Sequence, residues 1–203
     1  MLSNDIKTLE RLFEKLNDRF YDGKLPKPVL TIQTKGKVNA FGWFSVGKVW
    51  VDKATNTKMH EINVSAEYIT RPIDDVVATL LHEMVHLHCS YNGIKDTSNR
   101  GVYHNRRFKT EAENHGLIIT KGQYGWHVTE LNEEAKKFLK EIRAKDFTLC
   151  RYGQGSGENT PKTTQRKKSS IKWVCPCCGG IARTTKRFTL ICGECDELML
   201  ECE

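Results

Sequence analysis

His82-Glu83-Met84-Val85-His86 sets two imidazoles four residues apart with a carboxylate beside the first. On a helix, positions i and i+4 share a face, so His82 and His86 can offer two ring nitrogens to one metal ion. Zinc in such a site lowers the pKa of a water toward about 7 and polarises a carbonyl. Glu83 need not bind the metal. It is placed to take a proton from that water and return it to a leaving amine. The neighbours support a helix over roughly residues 72–91, with Pro72, Asp74 and Asp75 at its start. Val76, Val77, Leu80, Leu81, Met84, Val85 and Leu87 make it apolar on nearly all sides. Buried polar groups without partners are costly. Satisfied core histidines are the bland alternative; a metal accounts for all three residues at once.

A catalytic zinc takes three protein ligands and leaves a position open, so a third ligand is required. His88 stands about 200° around the helix from His86 and faces away. Cys89 reads as a small buried hydrophobe. His104 follows a polar loop, residues 92–102, and is expected to open a helix running from Tyr103 to Asn114 with Gly116 past its end. Phe108, Glu111 and His115 share its face at helical spacing. His104 is the stronger candidate, because the loop before it is long enough to fold back over the site, but spacing alone leaves Glu111 open as a rival ligand; His115 reads as a helix C-terminal histidine.

A second metal pattern lies at the other end. Cys175-Pro176-Cys177-Cys178 and Cys192-Gly193-Glu194-Cys195 are separated by thirteen residues. Cys175, Cys178, Cys192 and Cys195 thus form two C-x2-C turns, the spacing of a tetrahedral structural Zn2+ in a zinc ribbon. Cys177 is a spare or an alternative partner for Cys175, and Cys150 and Cys202 read as unliganded. Disulfides are the weaker reading, because the chain opens on no signal-peptide pattern and a cytoplasmic location is expected, nucleoid-associated if DNA is bound.

The elements that must position these residues follow from periodicity. Ile6, Leu9, Phe13, Leu16 and Phe20 mark an amphipathic helix over residues 3–20, capped by Ser3 or Asn4 and stopped at Asp22-Gly23. Val29–Gln33 and Met59–Val64 read as strands. Val38–Ser45 and Lys48–Val51 read as a hairpin turning at Gly47. Thr129 is expected to cap a last helix with Leu131, Ala135, Phe138, Leu139 and Ile142 on its apolar stripe. Helix, strands, then helices is an α+β order. No apolar run approaches membrane-spanning length.

The 203 residues carry a net charge of +7, which suits an acidic partner without specifying one. Residues 151–170 lack aliphatic side chains and read as a basic flexible linker. Arg166, Lys167, Lys168, Lys172, Arg183, Lys186 and Arg187 surround Trp173 and Phe188. Cations track phosphates and aromatic rings stack on unpaired bases, so Arg166, Lys167, Lys168, Lys172, Trp173 and Arg187 are candidate contacts to single-stranded nucleic acid. The alternative is a solvated linker with Trp173 packed inside the ribbon.

These motifs resemble the SprT-like metalloproteases over nearly the whole chain. Leu12-Phe13-Glu14-Lys15-Leu16-Asn17 with Phe20-Tyr21-Asp22-Gly23-Lys24-Leu25-Pro26 is similar to the family's opening helix and turn. Ala40-Phe41-Gly42-Trp43-Phe44 resembles its aromatic-glycine strand, and Glu61–Ser65 with Thr79–His86 its strand and catalytic helix. The family's third ligand is a histidine in an H-G-x-x-F-like segment. His104 to Phe108 fits that segment, with Asn105 where glycine is usual. The resemblance implies a zincin-like domain over residues 1–150, a linker over 151–170, and a four-cysteine zinc ribbon over 171–203. It also implies one catalytic and one structural zinc, and digestion of DNA-bound or DNA-crosslinked proteins by a chain expected to be monomeric. A nucleic-acid-binding regulator with little peptidase activity is the rival from another class; hydrolysis of a small amide without DNA is a third.

Overall fold

The computed structural model describes residues 2–34, 40–152 and 170–202. The chain divides into two compact units, Met1–Glu158 and Asn159–Glu203. Of the expected linker, residues 153–169 lie outside the described residues, and so do Arg166, Lys167, Lys168, Val38 and Asn39.

The first unit opens with α1 (Leu2–Phe20), which buries Leu9, Leu12, Phe13 and Leu16 at helical spacing. The helix already begins at Leu2, so Ser3 and Asn4 lie within it. Asn17 closes its far end: its side chain donates to the Leu25 carbonyl and accepts from the Leu25 N–H, both at 3.1 Å. The chain reverses between them through Asp22 and Gly23, both at positive φ.

β1 (Val29–Gln33) falls where the alternation puts it. The expected hairpin does not form. β2 (Gly42–Phe44) instead pairs antiparallel with a later strand, while β3 (Trp50–Asp52) pairs with β4 (Thr57–Met59). The reason is local. Asp52 accepts from Ala54 N–H and Thr55 Oγ1, both at 2.9 Å, and Asn56 takes positive φ, so the tight turn falls after Asp52 and not at Gly47. Residue 60 separates β4 from β5 (Glu61–Ser65), so the expected Met59–Val64 strand is split between two sheets. β5 is central in the order β1-β5-β2, parallel to β1 and antiparallel to β2. Buried Glu61 ties β3 to this sheet, accepting from Thr31 Oγ1, Gln33 Nε2 and Trp50 Nε1 at 2.7, 3.1 and 2.9 Å.

α2 (Ile73–Tyr91) is the motif helix and the centre of the core, with Val76, Val77, Leu80, Leu81, Met84 and Val85 fully buried. Its start has no local side-chain cap; Asp146 Oδ1 accepts the Ile73 N–H from 73 residues away. β6 (Thr97–Ser98) and β7 (Tyr103–His104) follow in the polar loop's place. α3 (Arg106–Asn114) then starts after His104, because Asn105 is the N-cap and accepts from Arg107 and Phe108 N–H. His104 is therefore a strand residue, not a helical one.

β8 (Leu117–Gly122) and β9 (Gly125–Leu131) form a hairpin that periodicity did not reveal, in a sheet of order β6-β7-β9-β8. Thr129 lies within β9. The cap of α4 (Glu133–Glu141) is Asn132, whose side chain accepts from Ala135 N–H at 2.8 Å.

The second unit is a small sheet of β10 (Ile171–Val174), β11 (Ile181–Thr184) and β12 (Leu200–Cys202), ordered β11-β10-β12. Its buried core is Trp173, Cys175, Cys192 and Met199. So few apolar residues cannot offset the chain's ordering entropy alone. No helix among the described residues is long and apolar enough to cross a membrane.

Candidate metal sites

α2 supplies His82 and His86 one turn apart, and β7 brings His104 to them. His82 Nε2 and His86 Nε2 each lie 3.1 Å from His104 Nε2. Nitrogens sharing one tetrahedral ion at about 2.0–2.1 Å stand about 3.3 Å apart, so the spacing matches a common zinc ion.

The outer nitrogens decide what the inner ones present. His86 Nδ1 lies 2.5 Å from Asp96 Oδ2, which accepts only. His104 Nδ1 lies 3.4 Å from the Tyr124 carbonyl, also an acceptor only. His82 Nδ1 lies 2.8 Å from Thr129 Oγ1, whose own proton is committed to the His127 carbonyl at 3.0 Å. Every ring thus carries its proton on Nδ1, and three Nε2 lone pairs point at one another. Lone pairs 3.1 Å apart repel unless a cation lies among them. Burial and neighbouring rings push the His82 pKa well down, and burial takes His104 to about 4. His82 and His104 are thereby favoured in the neutral form that metal ligation requires.

Phe108 holds the trio from below. It is fully buried, with its ring centroid 4.6, 4.8 and 4.7 Å from those of His82, His86 and His104. Asn105 does more than cap α3: its amide also donates to the Lys95 carbonyl at 2.8 Å, fixing the loop that carries Asp96. With φ of −90°, position 105 has no need of glycine. Gly125 does need to be glycine. Its φ is +83°, and a Cβ there would collide with the His104 carbonyl oxygen.

Glu83 is buried beside this cluster, and burial raises its carboxyl to about 7. β2 runs alongside: a Cβ on Gly42 would lie 2.8 Å from the Asn63 carbonyl and 3.4 Å from Glu83 Cγ.

The other candidates sort cleanly. Glu111 does not join the trio; its carboxylate lies 3.4 Å from His88 Nε2 on the far side of α2. His88 there packs against Tyr21 and against His115, the C-cap of α3. Cys89 is fully buried and its thiol is pushed up by desolvation.

In the second unit, the sulfurs of Cys175, Cys178, Cys192 and Cys195 all lie within 4.8 Å of one another. Cys178 Sγ and Cys192 Sγ are 3.6 Å apart, against about 3.8 Å for thiolates sharing tetrahedral zinc at about 2.3 Å. The two turns repeat one design. Cys175 O accepts from Gly179 N–H, and Cys192 O from Asp196 N–H, with Gly179 and Asp196 both at positive φ. Backbone N–H groups of Cys178 and Cys177 draw the Cys175 thiol down to about 7. Cys177 is exposed and outside the group.

Trp173 is corrected as a base-stacking residue. It is buried in the ribbon, and its Nε1 donates to Thr184 Oγ1 at 2.8 Å. Phe188, 54% exposed, is the aromatic that faces solvent. Arg187 is held by Glu201 through two 3.1 Å contacts. Lys172 pairs with Arg183 in register across β10 and β11.

An α+β unit with three converging imidazoles and a buried glutamate is the kind of site found in zinc hydrolases. Residues 9–125 match the SprT-like family model, and the chain belongs to that family. No curated protein and no solved structure matches the chain. The family match contains His82, Glu83, His86 and His104; Thr129, His127 and the four cysteines fall beyond it. Sequence reasoning did not find Asp96, Tyr124 or the role of Thr129. Alternation through Gly125, His127, Thr129 and Leu131 was the available signal for β9.

Proposed function

We propose that the chain is a zinc-dependent endopeptidase of SprT type acting on DNA-bound or DNA-crosslinked proteins. The observation that carries the peptidase reading is the convergence of three Nε2 lone pairs beside a buried carboxyl near neutrality. His82, His86 and His104 would hold zinc, which supplies a Lewis acid that acidifies water and polarises a carbonyl. Glu83 takes the water's proton on its carboxylate and returns it to the leaving nitrogen as the C–N bond breaks. A carboxyl of pKa about 7 exchanges protons well in both directions at neutral pH.

An extended polypeptide can pair beside Glu83. Among the described residues β2 is the sheet's edge, and residues 41 and 45 bond toward β5. Antiparallel alternation then turns the peptide groups of Gly42 and Phe44 outward, beside Glu83, where a substrate strand can add.

The nucleic-acid part rests on the net charge of +7, the basic residues around the ribbon and the family resemblance. In the ribbon Lys172, Arg183, Lys186 and exposed Phe188 support this reading, and Arg187 is paired with Glu201. The test is incubation of the purified protein with a DNA-binding substrate protein, with and without single-stranded DNA. Cleavage by wild type, stimulated by DNA and absent in Glu83→Gln, is expected. Equal behaviour of the two proteins under all conditions would remove the peptidase reading.

A further inference from the structure

His127 has no part in the chemistry described so far, yet β9 holds it at the site. His127 and Thr129 lie two residues apart on one face of β9, beyond the extra residue that the register shift inserts after Gly125. Thr129 holds His82, so the face it shares with His127 is turned to the metal site. The His127 ring lies offset-parallel to that of His104, centroids 6.2 Å apart. It is not one of the converging ligands.

The hairpin is shaped around this ring. A Cβ on Gly122 would collide with His127 Cε1, so the ring occupies the space of an absent side chain. The β8–β9 register shifts between Thr120 and Gly122, beside that contact. Tyr124 sits edge-on at 5.5 Å. His127 Nδ1 lies 3.3 Å from the Gly125 carbonyl, an acceptor only, so the ring proton is on Nδ1. In that tautomer Nε2 carries the ring's free lone pair, and the ring is only partly buried.

A peptide bond offers one acceptor, its carbonyl oxygen, and one donor, its N–H. Zinc held by His82, His86 and His104 would polarise the oxygen. An acceptor nitrogen next to the metal site is then complementary to the N–H.

We propose that His127 is a further catalytic residue, whose Nε2 accepts the N–H of the scissile peptide bond. This rests on the peptidase reading above. Water oxygen bonds to the carbonyl carbon as Glu83 takes one proton. The C–N bond then breaks as Glu83 returns that proton to nitrogen. The N–H on His127 stays in place throughout and turns the developing nitrogen lone pair toward Glu83.

The test uses the full zinc-loaded chain with single-stranded DNA. The substrates are two quenched-fluorescent peptides, matched except that one has an ester oxygen in place of the scissile N–H. Their sequence comes from a cleavage site mapped in denatured casein. His127→Phe keeps a ring over Gly122 and removes the acceptor; His127→Gln keeps an acceptor oxygen. His127→Phe is expected to lower kcat on the amide by about tenfold, the scale of one hydrogen bond. On the ester it should change kcat less than about twofold, with His127→Gln intermediate on the amide and zinc content unchanged in both. Equal losses on amide and ester would overturn the assignment, pointing to a contact with the carbonyl oxygen. So would loss of zinc in the variants, or no loss on either substrate. A wild-type chain that cuts neither the casein nor the peptides would overturn the peptidase reading, and this assignment with it.

Discussion

The two metal-ligand clusters of this chain are built in opposite ways. The cysteine cluster takes its four sulfurs from two short turns, each closed by its own backbone hydrogen bonds. Four thiolates complete a tetrahedron, hold the ion at a net charge of −2, and leave no position for a reactant. The histidine cluster stops at three imidazole nitrogens with a buried acid beside them. Its ligands are aimed from Asp96, Tyr124 and Thr129, so its geometry depends on the whole first unit. A site that stabilises a small fold can be local and saturated. A site that does chemistry has to be left one ligand short and held open by distant parts of the chain.

That contrast predicts different responses to metal loss. Chelation, or Cys192→Ser, should unfold the ribbon, because zinc supplies roughly 10 kcal/mol or more to modules of this kind. Loss of the near-ultraviolet signal of Trp173 would report it. Retention of ribbon structure without metal would show that its few core residues suffice. The first unit, with its large buried core, should keep its helices under the same treatment.

Within the first unit, Glu83→Gln should lower cleavage by about 10²–10⁴-fold while zinc content and fold remain. A residual rate near wild type would mean that another group moves the proton.

The same difference explains what could be read from the sequence. Spacing alone revealed Cys175, Cys178, Cys192 and Cys195, because their turns are local. The motif helix was equally legible, since its apolar periodicity and its histidines lie in one segment. The third ligand left His104 and Glu111 open, because a strand–cap–helix junction looks like a helix when Asn105 is not recognised as the cap. Thr129 was misread for a related reason. Its hydroxyl serves His82 and the His127 carbonyl, whereas Asn132 three residues on caps α4. The Gly47 hairpin failed because the turn chemistry after Asp52 pairs β3 with β4, which leaves β2 to pair with the distant β5. Long-range hydrogen bonds such as Asp146 to Ile73 leave no periodic trace.

Smaller effects test the supporting residues. Asp96→Asn and Thr129→Val should each weaken zinc binding at the histidine site by about 10–100-fold, leaving the cysteine site alone. Competition with a zinc-selective indicator would separate the two. Gly125→Ala should destabilise the first unit by about 1–3 kcal/mol, since it forces a Cβ toward the His104 carbonyl at positive φ. A melting temperature equal to wild type would show that β7 and β9 can part without cost.

The pH dependence of the metal-free first unit gives the subtlest check. Glu83 is raised from 4.5 to about 7 on folding, so the folded state binds its proton more tightly than the unfolded one. Stability should therefore fall as pH rises through that window, by up to about 3 kcal/mol, and level off above it. Glu83→Gln should match wild type near pH 4.5 and exceed it at about pH 8. Parallel stability curves for the two proteins would contradict a buried, desolvated carboxyl.

The difference between the sites is tested most directly by zinc content and cleavage measured together in His104→Ala and Cys192→Ser, beside wild type. Two zinc ions per chain are expected in wild type and one in each variant. Cleavage of unfolded casein should vanish in His104→Ala and persist in Cys192→Ser. Two ions in His104→Ala, or cleavage that survives there and disappears in Cys192→Ser, would contradict the assignment of chemistry to the histidines and structure to the cysteines.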